Sequence, residues 1–225
     1  MAWAFPHWVS DPRFVEWIPT ALIPLCSYLQ ARKGKSQGVA FIDSTLLAVC
    51  HPQRSPRHKV FAGLAAWGKN SLGWTSGFKL HLLINDLGEI VACCLTAAKV
   101  EDRKPVPPLL QGRYGKVFGD RGSISQALFT SLFAQGVQLI TKLRKEMKNT
   151  LLPLMDKLLL RKRALIETVN DQLKNISQIE HSRHRRVANF LVNLVAGLIA
   201  YPYQPKKPSL HIRVPPDTSW PVVAL

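Results

Sequence analysis

Glu167 and Asp171 stand four residues apart in the stretch Ala164–Lys174, two carboxylates on one helical face in a chain with only 14 Asp and Glu. Like charges at this spacing cost a helix a few tenths of a kcal/mol, and Arg163 ahead of Glu167 is the less favourable order for an ion pair. At about 100° per residue, Arg163, Glu167, Asn170 and Lys174 form one polar stripe with Asp171 at its margin, while Leu165, Ile166, Val169, Leu173 and Ile176 occupy a separate arc. The stripe is either a solvated face laced with ion pairs or a holder for a divalent cation, which would relieve the repulsion.

Asp43 and Asp120 are the other acids placed for chemistry. Each ends an apolar run, Gly38–Asp43 and Gly115–Asp120, and each is followed by small or flexible residues, Ser44-Thr45 and Arg121-Gly122. Each either caps the next turn or, if the two runs are neighbouring parallel strands, lies on the C-terminal edge where open α/β sheets place their ligands. Glu101 and Asp102 read as a helix cap in preference to acids supporting the site. Asp11, Glu16, Asp86, Glu89, Glu146, Asp156, Glu180 and Asp217 read as solvated or capping.

The elements that must carry these residues follow from periodicity. Pro12–Leu29 has helical spacing and runs into the basic link Ala31–Lys35. The unbroken apolar run from Gly38 predicts a central buried strand, and Leu46–Ser76 an irregular excursion rich in Gly, Trp and cations. Gly77–Ile84 and Glu89–Thr96 flank the turn Asn85-Asp86-Leu87-Gly88 and predict a β-hairpin. A short helix over 104–110, a strand over Gly115–Asp120, a helix over Gln126–Gln135 capped by Ser125 and a strand over Val137–Thr141 come next. Leu154–Gln178 and Arg183–Ala200 are predicted helical, and the Pro-rich end from Tyr201 poorly ordered. The boundaries are therefore 1–37 for a lead-in and linker, 38–200 for the main domain and 201–225 for the tail.

Thirty Lys and Arg against those 14 acids give a formal charge of +16, which suits a polyanionic partner and nucleic acid first, because cations displace the counterions condensed on phosphate backbones. The longest apolar run, Val187–Tyr201, is interrupted by Asn189 and Asn193 and is too short to span a bilayer. The N-terminus lacks the basic and apolar regions of a secretion signal, so a cytoplasmic protein without membrane partners is expected. Cys26, Cys50, Cys93 and Cys94 show no CxxC spacing and read as reduced core thiols. His181 and His184, among arginines, read as a basic helix start, and Trp67 and Trp74 as packing under a loop in preference to stacking on exposed bases.

With these residues in view, Asp43 in FIDST, Asp120 in FGDRG and Glu167 in RALIETVNDQLK resemble the three acids of the DDE-class insertion-sequence transposases. The GFKLH strand and the tract HSRHRRVANFLVNLVAGLIAY strengthen the likeness, which is closest to the insertion sequence nine-eight-two family and runs from about Pro12 to Ser209. Arg163, Glu167 and Lys174 match the signature around the last acid, while Leu160 stands where that signature has Tyr. Only 42 residues precede Asp43, fewer than such relatives carry, so an N-terminally truncated copy is expected. The resemblance implies an α/β fold, a ribonuclease-H-like mixed sheet with flanking helices and a C-terminal helical segment. It implies that Asp43, Asp120 and Glu167 hold two Mg²⁺ ions, or Mn²⁺, for cleavage at element ends and strand transfer into target DNA. Arg163, Lys174, Lys142, Arg144, Lys145 and Lys148 would then contact the DNA, namely terminal inverted repeats and target, with the protein a homo-oligomer on it. The competing readings are a non-catalytic DNA-binding remnant and a ribonuclease-H-like nuclease acting on hybrids.

Overall fold

In the computed structural model, which describes residues 9–70, 73–120, 125–141, 153–180 and 184–210, the apolar run from Val39 continues through Asp43 to Cys50 as one strand, β1 (Val39–Cys50). Asp43 is thus inside a strand and not at its end, as the apolar run alone suggested. The extension has a physical cause. Beyond Asp43 the residues alternate, with Leu47 and Val49 buried and Ala48 and Cys50 less so, and β1 pairs antiparallel with β3 (Gly73–Asn85) along nearly its whole length, from Ala40↔Asn85 to Cys50↔Ser76.

The stretch predicted as irregular is correspondingly ordered. It holds a 3₁₀ turn over Pro52–Arg57 and strand β2 (Ala66–Asn70), which pairs antiparallel with the start of β3. The expected hairpin forms between β3 and β4 (Ile90–Ala97). Strands β5 (Gly115–Phe118) and β6 (Val137–Ile140) complete a six-stranded mixed sheet of order β2-β3-β1-β5-β6, with β4 also on β3. Both β1–β5 and β5–β6 are parallel.

Neighbouring residues of β1 enter different cores, which explains why its first half is apolar without alternation. Ala40 and Ile42 join Leu83, Val117 and Leu139 beneath α3 (Val106–Leu110) and α4 (Gln126–Ala134). Phe41 joins Leu47, Leu82 and Phe118 beneath α6 (Ala164–Asn175) and α7 (Val187–Ala200). The sheet is therefore the middle of three layers. Before it, α1 (Asp11–Trp17), a 3₁₀ turn and α2 (Leu22–Ala31) replace the single lead-in helix, and α2 packs on α7.

Three further expectations are corrected. Leu154–Gln178 is not one helix: α5 (Leu154–Arg161) ends and α6 begins after a break at Lys162 and Arg163. The tail is docked through residue 210, where the buried Tyr201 hydroxyl donates to Gly88 O (2.8 Å) and Leu210 N to Asp86 O (2.9 Å); residues 211–225 lie outside the described part. Asp156 is buried and carries an ion pair with Lys116, and Asp86 is buried as well, although both had read as solvated or capping. The four thiols are free, with Cys26 on the surface. Among the described residues no helix is long and apolar enough to cross a membrane.

Gly77 marks the closest approach in the sheet, since a Cβ there would collide with the carbonyl oxygen of Leu47 on β1. Gly77→Ala must push the strands apart where β1 carries its bulge. We expect a loss of about 1–3 kcal/mol, read as a lower urea midpoint at unchanged slope.

Candidate active site

The parallel register between β1 and β5 sets the site. Phe41 pairs with Phe118, and their rings lie 5.6 Å apart on the face covered by α6. Asp43 is two residues past Phe41 and Asp120 two past Phe118. Because side chains alternate between faces, Asp43 projects on the side of the Phe rings; Asp120 leaves the end of β5 just beside it, after Gly119 N donates to Ile140 O (3.0 Å).

The third acid arrives from above. Leu165, Ile166, Val169 and Leu173 bury one face of α6 against the sheet, which leaves the Arg163–Glu167–Asn170 stripe facing Asp43. Arg163 occupies the break between α5 and α6 and reaches both carboxylates: Nη1 is 3.6 Å from Asp43 Oδ1 and Nη2 2.6 Å from Glu167 Oε1. Asn170 Nδ2 donates to Asp43 Oδ2 (3.2 Å). Burial pushes the Asp43 carboxyl up to about 6, with the negative charges of Glu167 and Asp120 adding to the rise and Arg163 and the Ser44 backbone opposing it. Asp43 therefore senses both other acids.

Among the described residues no three His, Cys, Asp or Glu side chains are drawn into a metal-holding cluster. The guanidinium of Arg163 bridges Asp43 and Glu167 instead, supplying the positive charge that two neighbouring carboxylates need. The donor set still fits a hard divalent cation. It is all oxygen, and Asn170 Oδ1, beside Asp43, is buried without a hydrogen-bond partner.

The other predicted residues fare differently. The Lys174 ammonium is held by Leu46 O (2.6 Å) and Glu180 (3.1 Å), so it braces α6 against β1. Glu180 also accepts from Ala48 N (2.9 Å), contrary to its reading as a solvated acid. Asp171 accepts from Asn175 Nδ2 (2.6 Å) and points along its own helix. Asp102 does not cap α3, which starts after Pro105 with no side-chain cap; it accepts from Ser44 Oγ (2.8 Å) and pairs with Lys79 (2.9 Å). Ser44, Thr45, Lys69, Lys79, Asp102 and Lys174 line a polar cleft of about 260 Å³ that begins one residue from Asp43. Lys142, Arg144, Lys145 and Lys148 lie outside the described residues, as does His181. Trp67 and Trp74 are not packed under a loop: they are 41% and 60% exposed on the β2–β3 hairpin, with Lys69 Nζ 5.8 Å from the Trp74 ring. Sequence reasoning missed Asn170 as the partner of Asp43; its signal was an amide within a charged stripe beside an apolar arc.

Asp43 within β1 and Asp120 just past β5 thus stand side by side at adjacent parallel strands, with Glu167 brought over them from α6. Residues 33–187 match the family described as Transposase DDE domain, and the chain belongs to that family. Among solved structures, a piggyBac transposase synaptic complex with hairpin DNA is similar at 10% identity and a TM-score of 0.50, over 75% of this chain and 47% of that one. This chain thus spans about half the length of that transposase. The catalytic domain of Mos1 mariner transposase aligns at 11% identity and a TM-score of 0.29, over 88% and 92% of the two chains. No curated protein sequence matches. The fold is α/β and ribonuclease-H-like.

Proposed function

We propose that this chain is the catalytic part of an insertion-sequence transposase, closest to the nine-eight-two family, that cuts DNA at the element's ends and joins the freed 3′-hydroxyl to target DNA. The observation that carries the reading is the parallel register Phe41↔Phe118, which brings Asp43 on β1 and Asp120 just past β5 side by side, with Asp43 in the electrostatic reach of Glu167. Asp43, Asp120 and Glu167, with Asn170 Oδ1, would hold two Mg²⁺ or Mn²⁺ ions, which when bound activate the attacking oxygen and stabilise the leaving one.

The chain's own groups do the rest. Partial burial of Asp43 beneath α6 limits the water around its carboxylate, and Asn170 orients it by donating to Oδ2. Arg163 neutralises the pair of acids, and its planar guanidinium suits a nonbridging phosphate oxygen of the strand being cut. Lys142, Arg144, Lys145 and Lys148 remain assigned to backbone contacts on sequence grounds. Terminal inverted repeats and target DNA are the proposed partners, with a homo-oligomer assembled on them.

The test is Mg²⁺-dependent nicking of a duplex carrying matched terminal repeats, with Asp120→Ala as control. Cutting that depends on both the repeats and Asp120 supports the reading. Tight binding without cutting would leave a DNA-binding remnant, and cutting of RNA in hybrids without repeats a ribonuclease.

The exposed tryptophans add an expectation. From Ser44 to Asn85 the chain contains no acid and five Lys and Arg, two of them, Lys69 and Lys79, on the hairpin with the tryptophans. Stacking on an aromatic ring contributes about 1–3 kcal/mol per base. Trp74→Ala should weaken binding of single-stranded DNA about 10-fold and leave duplex binding within about 2-fold, by fluorescence anisotropy; an equal effect on both would refute the stacking role.

A further inference from the structure

A second cleft lies at the opposite end of the sheet from the carboxylates. Its volume is about 440 Å³, and its walls come from three separate parts of the chain: the link between α2 and β1, the β3–β4 turn, and the segment after α7. Arg32, Lys33, Lys35 and Lys207 line it with a single acid, Glu89. That acid is already engaged, since Glu89 Oε2 accepts from Asn85 Nδ2 (2.8 Å). Among the described residues none of the four cations is paired with a carboxylate; Arg32 instead lies over the Tyr203 ring at 5.5 Å.

The walls are fixed in place. Gly34 N donates to Ile90 O (2.9 Å) and Asn85 Nδ2 to Lys35 O (3.1 Å), which ties the link to the hairpin, while Tyr201 and Leu210 tie the last segment to the same turn. Four unpaired cations held apart by one scaffold constitute a preorganised receptor for repeated negative charge, because their mutual repulsion is already overcome by folding. A chain of phosphodiesters carries such repeated negative charge.

The cleft cannot serve the reacting phosphate. It adjoins the entry to β1 at Gln37, and from Gly38 to Asp43 the strand covers about 17 Å at ~3.3 Å per residue. At ~3.4 Å per base pair, that separation corresponds to about five base pairs. We propose that this cleft is a second DNA-backbone site, gripping duplex phosphates away from those at the carboxylates. The proposal rests on the transposase reading and deepens it.

The experiment compares wild type and the combined variant Arg32→Gln, Lys33→Gln, Lys35→Gln, Lys207→Gln for binding a 30-base-pair duplex across a salt series. The slope of log K against log[salt] should shrink by about 3.6 in the combined variant, at ~0.9 per phosphate contact. Far-UV circular dichroism and a thermal melt check folding; should the combined variant fail to fold, Lys35→Glu with Lys207→Glu, both at exposed positions, replaces it and should shrink the slope by at least about 2. A wild-type slope in a folded variant, or loss only of binding to vesicles of anionic phospholipid, overturns the cleft. Wild type that does not bind duplex at all overturns the transposase reading itself.

Discussion

Asp43→Asn should abolish strand cleavage, by at least about 10³-fold as for removal of a residue acting as part of a catalytic unit, and should at the same time make the metal-free chain more stable. The sign follows from burial. Folding raises the carboxyl from its usual value near 3.8 to about 6. Below about pH 4 the group is protonated in both states and contributes nothing. Between about 4 and 6 the unfolded chain loses the proton first, so stability falls across that window and remains reduced above it. A gap of about two units corresponds to roughly 3 kcal/mol, part of which the variant forfeits because an amide pairs less well with Arg163. Thermal melts in EDTA should therefore show the Asp43→Asn variant above wild type at pH 7.5 by about 2 kcal/mol and near it at pH 4. The same pH dependence in both proteins would refute the argument. At subsaturating Mg²⁺, cleavage by wild type should decline as pH falls through about 6, because protons then compete with the cation for Asp43.

Lys116→Met should be strongly destabilising. Lys116 Nζ lies 2.8 and 3.0 Å from the two oxygens of Asp156, whose side chain is 2% exposed. Removing the cation strands a buried carboxylate on α5, which costs about 3–5 kcal/mol, whereas replacing both partners by apolar groups is often near neutral. In urea unfolding the single variant should lose at least about 3 kcal/mol, and Lys116→Met with Asp156→Leu should recover most of it. A single variant within about 1 kcal/mol of wild type would show the pair to be inconsequential. Because α5 leads directly into the break that holds Arg163, the single variant should also cut more slowly at temperatures where it remains folded.

The strands and helices were legible wherever one local pattern decided them. The β3–β4 hairpin, the Ser125 cap on α4, whose hydroxyl accepts from Leu128 N, and the helix bearing Glu167 follow from turn chemistry, capping and an apolar arc. What was illegible depends on partners distant in the chain. Nothing near Asp43 shows that β1 continues to Cys50, because the reason is β3, some thirty residues later. Asp156 looked like any acid in a first helical turn until β5 brought Lys116 to it. The residues of the candidate site were named from the chain alone, but not their arrangement. The matched positions of Asp43 and Asp120 depend on a parallel register, and a one-residue slip would send one of them to the other face.

The unequal lengths of β1 and β5 have one more consequence. Past Phe41 no strand among the described residues pairs with the outer side of β1, where Glu180 accepts from Ala48 N and Lys174 donates to Leu46 O. Two charged side chains thus stand where a foreign strand would otherwise dock, which makes this pair a guard against edge-to-edge aggregation during and after folding.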